Sequence, residues 1–205
     1  DRIYTWLYTN GIKADEDVLW QLKDAGLDEI RFDIGATNMG LEKAIMAVKY
    51  MDTVTVEIPA IPEEAETMKD IILKMADAGI DHLNLHQLRL TPYNFPHLTS
   101  RDYTFLHGER VTVLESELAA LRLIRWSYEE MVDLPINYCS FVYKNRYQRA
   151  ASRRQSARFI KKPFEDITQA GYLRMLELQG TCEDFARQVE QFQQRRRLVP
   201  AGGQQ

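Results

Sequence analysis

The stretch that decides the fold runs from Asp77 to Gln87, D-A-G-I-D-H-L-N-L-H-Q, and it repeats an earlier stretch, Asp24 to Asp33, D-A-G-L-D-E-I-R-F-D. Each copy reads as the end of a helix, a glycine that stops the helix, and a short strand. The second copy begins 53 residues after the first, and another apolar strand, Thr53 to Pro59, lies midway between them. A helix-and-strand unit of roughly 25 residues is therefore repeated. Strands joined by crossover helices pair in parallel, which predicts a wound α/β sheet or barrel.

Similar patterns extend this repeat along the chain. Runs of β-branched, aromatic or alternating apolar residues predict strands. The predicted strands are Ile3 to Thr9, Asp28 to Ile34, Thr53 to Pro59, Asp81 to Gln87 and, with a less regular pattern, Leu134 to Tyr143. The predicted helices are one capped by Asp15 and ended by Gly26, then Leu41 to Tyr50, Glu63 to Ala78, and a strong helix from Thr112 or Glu115 through Glu130. The apolar stripe of this last helix is predicted at Leu114, Leu118, Leu121 and Tyr128.

Polar and apolar residues alternate along the predicted strands. In the strand from Asp28, Ile30, Phe32 and Ile34 alternate with charged residues, and the next two strands divide in the same way. Helices cover the outer face of a parallel barrel, so the polar side chains are predicted to point inward. These are Arg31, Asp33, Thr55, Glu57, His82, Asn84 and His86. Either a polar ligand occupies this interior, or Arg31 pairs with Glu57 or Asp33 and the histidines bond internally.

Composition sets outer limits on the function. The chain has 205 residues, 27% charged and 45% hydrophobic, with a net charge of -4, which is ordinary for a globular domain and does not indicate a globally nucleic-acid-binding protein. The two cysteines, Cys139 and Cys182, are too far apart for a C-x-x-C pair. No apolar run approaches the roughly 20 residues of a membrane span and no signal peptide is visible, so we expect a cytoplasmic protein without a membrane partner.

Two segments stand apart from the repeat. The long interval Leu88 to Arg110 follows the carboxyl end of a strand and is predicted to be an irregular lid or binding loop. The segment Lys144 to Lys162 carries eight basic residues and no acidic one, which predicts either an RNA contact or a solvated basic surface. We therefore divide the chain into a partial barrel, 1–143, and a basic segment with a helical tail, 144–205. The tail is predicted as a polar helix from Glu183 to Arg197, with Leu198 to Gln205 disordered.

The motifs of the first strands resemble those of a known superfamily. T-N-G at 9–11 closes a strand, and it is followed by D-A-G-L-D-E-I-R-F-D-I at 24–34 and V-E-I-P-A-I-P-E-E at 56–64. In this order the motifs are similar to those of radical S-adenosylmethionine enzymes, in particular the activating-enzyme-like members. The resemblance covers about Ile3 to Leu88 and, more loosely, continues to Tyr143. It implies a partial (β/α) TIM-like barrel of parallel strands, here with a helical carboxyl-terminal extension.

The resemblance also implies which parts of such an enzyme are present. The strand that ends in T-N-G would be the third of the barrel, so the chain looks like the carboxyl-terminal two thirds of the fold. The three-cysteine motif that holds a [4Fe-4S] cluster belongs to the first strand and does not occur here. Its ligands are expected upstream of Asp1, and the chain alone is expected to be inactive. The implied reaction is cleavage of S-adenosylmethionine to a 5'-deoxyadenosyl radical, which takes a hydrogen atom from a substrate.

Roles for individual residues follow from the same resemblance. Asp33 matches the polar residue that bonds the ribose of S-adenosylmethionine, and Asn10 would lie at the edge of that cofactor. The run Ile58 to Glu64 takes the place of the loop on the adenine and methionine, with Pro59 and Pro62 where glycines are usual. The implied cofactor-binding residues are Asn10, Asp33, Ile58, Pro59, Glu64 and His86. The implied substrate-binding residues are Arg31, Glu57, Gln87 and Arg89. No catalytic residue and no metal ligand is assigned within this chain.

Two other functions remain open from the residues alone. A conventional TIM-barrel lyase or isomerase would use His82, His86, Glu57 and Asp33 as acids, bases or metal ligands. An RNA-binding module would act through Lys144 to Lys162.

Overall fold

The computed structural model describes residues 3–175, 177 and 180–197, with the side chains of 195–197 left out. They fall into two compact units, Asp1–Tyr147 and Gln148–Gln205. The strands are β1 Trp6–Thr9, β2 Glu29–Phe32, β3 Thr53–Pro59, β4 His82–His86, β5 Phe105–Leu106, β6 Thr112–Val113, β7 Ile136–Cys139, β8 Glu165–Ile167 and β9 Leu173–Met175. The helices are α1 Glu16–Asp24, α2 Glu42–Ala47, α3 Ala65–Asp77, α4 Phe95–Thr99, α5 Leu114–Glu129, α6 Phe141–Tyr143, α7 Ala150–Ile160 and α8 Cys182–Arg197. The prediction for Leu198 to Gln205 lies outside the described residues.

The first unit is built on a five-stranded parallel sheet in the order β1, β2, β3, β4, β7. Each new strand is added beside the previous one without a reversal of order. Because parallel crossovers are right-handed, connections that all step in one direction place their helices on one face of the sheet. This is the arrangement of a (β/α) barrel, and with five strands the barrel is partial rather than closed. The predicted fold class is confirmed.

Helix α1 follows local signals at both of its ends. Asp15 caps α1, since its side chain accepts a hydrogen bond from Val18 N at 3.0 Å. Gly26 ends that helix with φ +85°. The strand Thr53–Pro59 is observed with the predicted bounds. Its apolar side chains, with those of β2 and β4, form a buried core under the helices that includes Phe32, Ile58, Leu83, Leu85, Leu19, Ile72 and Met75.

Two predictions for the second half of this unit are wrong in part. Leu118 and Leu121 on α5 are exposed, and so is Tyr128. The buried side of α5 carries Leu123 and four small residues instead: Ser116, Ala119, Ala120 and Ser127. The predicted strand Leu134 to Tyr143 is strand only over Ile136–Cys139, because Ser140 caps a helical turn and accepts a hydrogen bond from Tyr143 N at 3.1 Å.

The interval predicted to be irregular, Leu88 to Arg110, contains the short helix α4 and the strand β5, which pairs with β6. The segment Lys144 to Lys162 is helical: a π-helical turn, Lys144–Arg149, leads into α7. No helix among the described residues is long and apolar enough to cross a bilayer.

The second unit consists of α7, the β8–β9 hairpin and α8. The hairpin turn reaches α7 through two of the basic residues, since Arg153 and Arg154 donate to the backbone carbonyls of Ala170 and Gln169. Arg153 also lies 4.6 Å above the ring centroid of Tyr172. Arg153 and Arg154, two of the residues predicted to form a basic surface, therefore make contacts within the unit. RNA contact through this segment stays a prediction.

Candidate functional site

The site is built on the face of the sheet opposite the helices, where the register brings polar residues side by side. Arg31 pairs laterally with Thr55, Glu57 with Asn84, and Asn84 with Asn137. We call the hydrogen-bonded set on this face the polar network; its members are Glu29, Arg31, Thr55, Glu57, Asn84 and His86. The alternation of residues predicted an inward polar face, and five of the seven side chains predicted to point inward belong to this network: Arg31, Thr55, Glu57, Asn84 and His86.

Glu29 and Arg31 form the first ion pair of the network. Arg31 Nε and Nη2 donate to the two oxygens of Glu29 at 2.8 and 3.0 Å, and Thr55 Oγ1 donates to Glu29 Oε1 at 2.6 Å. Glu29 is buried, which by itself raises the pKa of its carboxyl, but the bonds from Arg31 and Thr55 outweigh burial and hold that pKa below its usual range. A two-pronged pair of this kind fixes the guanidinium in one orientation.

Glu57 is the centre of the network. Its Oε2 accepts from Arg31 Nη1 and from Asn84 Nδ2, both at 3.4 Å, and His86 Nε2 contacts its Oε1. The side chain is only 10% exposed. Burial alone would raise the pKa of Glu57, but the hydrogen bond and charge of His86, with bonds from Tyr8 and Asn84, lower the pKa to about 2. The pairing of Arg31 with Glu57, one of the alternatives from the sequence, is therefore present.

Two aromatic side chains of β1 cover Arg31. The guanidinium carbon lies 5.0 Å from the ring centroid of Trp6 and 5.5 Å from that of Tyr8, and Arg31 Nη1 donates to Tyr8 Oη at 3.0 Å. Burial lowers the pKa of Arg31, but its bonds to Glu29 and Tyr8 outweigh burial and raise the pKa above the usual value. Both rings are more than half exposed, so they present an aromatic surface next to the network.

The far side of the network is formed by β4, β7 and the turn that follows β7. His86 lies beside Cys139 in the register, and Lys144 Nζ lies 3.2 Å from His86 Nδ1. Cys139 is buried, and burial raises the pKa of its thiol. Lys144 is half-buried and packs its ammonium 5.7 Å from the ring centroid of Phe141.

The cofactor residues implied by the resemblance follow strand ends at the same edge of the sheet. Asn10 and Asp33 come directly after β1 and β2, and Asp33 N donates to Thr9 O at 2.9 Å. Both side chains are exposed and each accepts one local backbone bond: Asn10 Oδ1 from Ile12 N and Asp33 Oδ1 from Gly35 N. Asp33 and His82 were predicted to point inward with the others, but both are exposed and neither bonds to the polar network among the described contacts.

The run Ile58 to Glu64 continues from β3 over the same edge. The side chain of Ile58 lies in the apolar core, so its polar contacts are limited to the backbone. Pro59 is the last residue of β3, beside His86, and Ala60 N donates to His86 O at 2.8 Å. Glu64 Oε2 is buried and has no hydrogen-bond partner within the described part of the chain. This oxygen is an acceptor available to a ligand.

The segment after β4, Leu88 to Arg110, is hydrogen-bonded to the run Ile58 to Glu64. Tyr103 Oη contacts both oxygens of Glu63 at 2.6 and 2.7 Å, and Arg101 Nη1 donates to Glu63 Oε2 at 3.1 Å. At its base, Ser116 Oγ accepts from Leu88 N at 2.8 Å and donates to Ala60 O at 2.7 Å. These bonds hold the ends of β3 and β4 against the start of α5.

The remaining implied substrate residues have structural contacts of their own. Gln87 is buried, donates to Glu117 Oε2 at 3.2 Å and accepts from Phe141 N at 3.3 Å. Arg89 is exposed and stacks on the ring of Phe141 at 5.5 Å. Nothing in the described contacts tests a substrate role for either residue, and both stay predictions.

Sequence reasoning left out four residues of this site. Glu29 lies on the polar face of β2, and its alternation with the apolar Ile30 is the sequence signal that indicates this position. Trp6 and Tyr8 alternate with Leu7 in the same way. The contact of Lys144 with His86 spans 58 positions and carries no local signal.

A metal ion or an iron–sulfur cluster would need several ligand side chains close together. Among the described residues, no group of three or more His, Cys, Asp or Glu side chains is placed to hold a metal ion. The described residues therefore do not supply the ligands of an iron–sulfur cluster.

Comparison with known proteins gives one informative match. No family model matches the chain, and no solved structure matches it. A curated protein of Methanocaldococcus jannaschii is 33% identical over 186 aligned positions, which cover 84% of this chain and 48% of that protein. The chain thus spans about half the length of this relative. By sequence, the chain is similar over most of its length to a protein that is provisionally named a glycyl-radical enzyme activating enzyme.

Proposed function

We propose that this chain is part of a radical S-adenosylmethionine enzyme, in which it binds S-adenosylmethionine at the carboxyl edge of the sheet and positions a substrate. The observation that carries the proposal is the similarity to the named activating enzyme over 84% of the chain. Activating enzymes of glycyl-radical enzymes are of the radical S-adenosylmethionine type, and the partial parallel barrel agrees with that class.

The chain's own groups suit the cofactor at the rim of the site. S-adenosylmethionine offers ribose hydroxyls and amino groups as donors, which need acceptors. Asn10 and Asp33 are exposed acceptors at adjacent strand ends, and Glu64 Oε2 is a buried acceptor without a partner in the described region. Trp6 and Tyr8 offer exposed aromatic surface over Arg31. When bound with a reduced cluster, the cofactor supplies the 5'-deoxyadenosyl radical.

The role we assign to the polar network is orientation of the substrate and exclusion of water. Its charged groups already bond to one another, so the network offers a rigid polar wall rather than an unpaired charge. Arg31 is fixed by Glu29 and Glu57, and His86 by Glu57 and Lys144.

Binding of S-adenosylmethionine is the direct test. Isothermal calorimetry with a version extended upstream, in which a cluster is reconstituted anaerobically, should show binding that Asp33→Ala weakens by about tenfold, the equivalent of one hydrogen bond to a charged group. Asp17→Ala, at an exposed carboxylate on α1, is the matched control and should leave affinity unchanged. Absence of binding by the extended protein would end the proposal.

A further inference from the structure

The segment Leu88 to Arg110 is built so that it can move as one piece. Its two ends lie together, because Leu90 N donates to Val111 O at 2.9 Å and β5 pairs with β6. Between these ends, local bonds brace the start of α4: Thr91 N donates to Asn94 Oδ1 at 2.7 Å, and Asn94 N donates to Thr91 Oγ1 at 3.2 Å. A loop whose ends meet and whose interior bonds to itself can turn about its base.

The same segment packs little against the rest of the first unit. Leu98 on α4 is its one buried side chain, and it lies outside the apolar core that the described residues form under the helices. Tyr93 and Phe95 are exposed, by 90% and 52%. Segments with few buried apolar contacts open locally at a low cost in free energy. The segment can therefore open while the sheet stays folded.

Two side chains bind the carboxyl-terminal half of the segment to Glu63. Tyr103 Oη contacts both oxygens of Glu63, and Arg101 Nη1 donates to Glu63 Oε2 at 3.1 Å and to Tyr103 Oη at 3.0 Å. We call these three residues the latch. The side chains of Glu63 and Arg101 are 51% and 43% exposed. Bonds that water reaches are weak in net free energy, so the latch can open and close readily.

Glu64 lies next to the latch. It ends the turn Pro62–Glu64, and its Oε2 is buried without a hydrogen-bond partner in the described part of the chain. Arg101 is close to both carboxylates: its bond to Tyr103 is the main cause that raises the pKa of Arg101, and the charges of Glu63 and Glu64 add to this effect. A buried carboxylate oxygen is costly when no donor bonds to it. The latch thus stands beside an acceptor that a ligand could satisfy.

We propose that Leu88 to Arg110 is a lid that the latch holds closed over Glu64, and that opening of the lid admits a ligand with N–H or O–H donors to this carboxylate. The identity of the ligand rests on the proposed function, in which Glu64 is one of the acceptors for S-adenosylmethionine. The lid itself is a property of the chain without ligand. Closure after binding keeps water away from the bound molecule.

Labelling of carboxylates with a carbodiimide and glycine ethyl ester measures how readily a reagent reaches Glu64 in the chain without ligand. Glu64 and Glu66 lie in one tryptic peptide, 50–69, so fragment spectra compare them within a single sample. In the wild type, Glu64 should react about tenfold more slowly than the 85% exposed Glu66, because it reacts only while the lid is open. Tyr103→Phe removes a hydroxyl from the latch and should speed the labelling of Glu64 about fivefold, the effect of one hydrogen bond.

Tyr93→Phe is the matched control, since it removes a hydroxyl from the same lid at a side chain that is 90% exposed, and it should leave the labelling unchanged. Arg101→Met tests the latch independently and should also speed the labelling of Glu64. Urea unfolding shows whether each variant is folded. Labelling of Glu64 as fast as that of Glu66 in the wild type would overturn the proposal. So would an unchanged rate in the folded Tyr103→Phe and Arg101→Met variants.

A second measurement tests the ligand. In the version extended upstream, with a reconstituted cluster, Tyr103→Phe should raise the association rate of S-adenosylmethionine about fivefold in stopped-flow experiments, because a larger fraction of lids is open. An unchanged association rate would overturn the control of cofactor access by the lid. If the extended protein does not bind S-adenosylmethionine, the proposed function fails, while the labelling rates still decide whether the latch closes the lid over Glu64.

Discussion

Replacing Glu57 with glutamine tests the centre of the polar network through its pH dependence. The carboxylate has a pKa of about 2 in the folded chain against an ordinary value of 4.5. A difference of one in pKa corresponds to about 1.4 kcal/mol, so ionised Glu57 contributes up to about 3 kcal/mol to folding at neutral pH. The side chain is only 10% exposed, so solvent screening reduces this figure little.

The sign of the effect follows from the direction of the pKa shift. Because the folded pKa is depressed, the stabilisation is complete above about pH 5 and is lost as the pH falls through the folded value near 2. Between pH 7 and pH 3 the free energy of unfolding should fall by about 2 kcal/mol more in the wild type than in Glu57→Gln, which has no carboxyl to protonate at this position.

Urea unfolding followed by tryptophan fluorescence measures this difference. All three tryptophans, Trp6, Trp20 and Trp126, lie in the first unit, so the signal follows the unit that contains Glu57. Glu66→Gln is the matched control, since Glu66 is 85% exposed in its pair with Lys69, and its effect should stay within about 0.5 kcal/mol at both pH values. If the gap between wild type and Glu57→Gln were the same at pH 3 and pH 7, the reasoning about a paired, ionised Glu57 would be refuted.

Two further substitutions test the supports of the fold. Ser116→Ala removes two hydrogen bonds, to the half-buried Leu88 N and to the buried Ala60 O, so it should lower the free energy of unfolding by about 2 kcal/mol. Ser127→Ala, on the same helix, removes one bond, to Ile124 O, and should cost about 1 kcal/mol. Equal losses by urea titration would contradict the supporting role of Ser116. Gly171→Ala should open the second unit to limited proteolysis, because a Cβ at this position, where φ is +84°, would lie 2.6 Å from Arg153 Cβ. Gly26→Ala is the control: φ is +85° but the space around it is open, so this variant should cost only about 1 kcal/mol of backbone strain and remain resistant. An equally resistant Gly171→Ala would show that the hairpin does not need this close approach.

Regular periodicity accounts for the part of the fold that the sequence predicted well. Thr53–Pro59 alternates without interruption between a buried apolar face and a polar one, so both its bounds and its orientation could be read directly. Asp15 and Gly26 are local signals, since a side-chain cap and a left-handed glycine act within a few residues of a helix end. Such features depend on neighbours in sequence, and these neighbours are visible in the chain.

The buried side of α5 shows where periodicity was insufficient. The helix carries large apolar residues on more than one side, and the predicted stripe included Leu118 and Leu121, which are exposed. The structure buries Ala119, Ala120 and Leu123 instead, and it places Ser116 where it bonds to the backbone just after β3 and β4. Which side is buried depends on the space left by β3, β4 and β7, and that space is not encoded within the helix.

The pairing of charges within the polar network bears on where the proposed cofactor would bind. Glu29 and Glu57 both bond to Arg31, and His86 lies between Glu57 and Lys144. The side chains predicted to need a polar occupant therefore satisfy one another, and an ion placed among them would have to break a bonded pair. Acceptors that remain available lie at the rim, at Asn10, Asp33 and Glu64. Under the proposed function, a polar cofactor would be recognised at that rim, and the bonded network beneath it would keep the ends of the strands rigid.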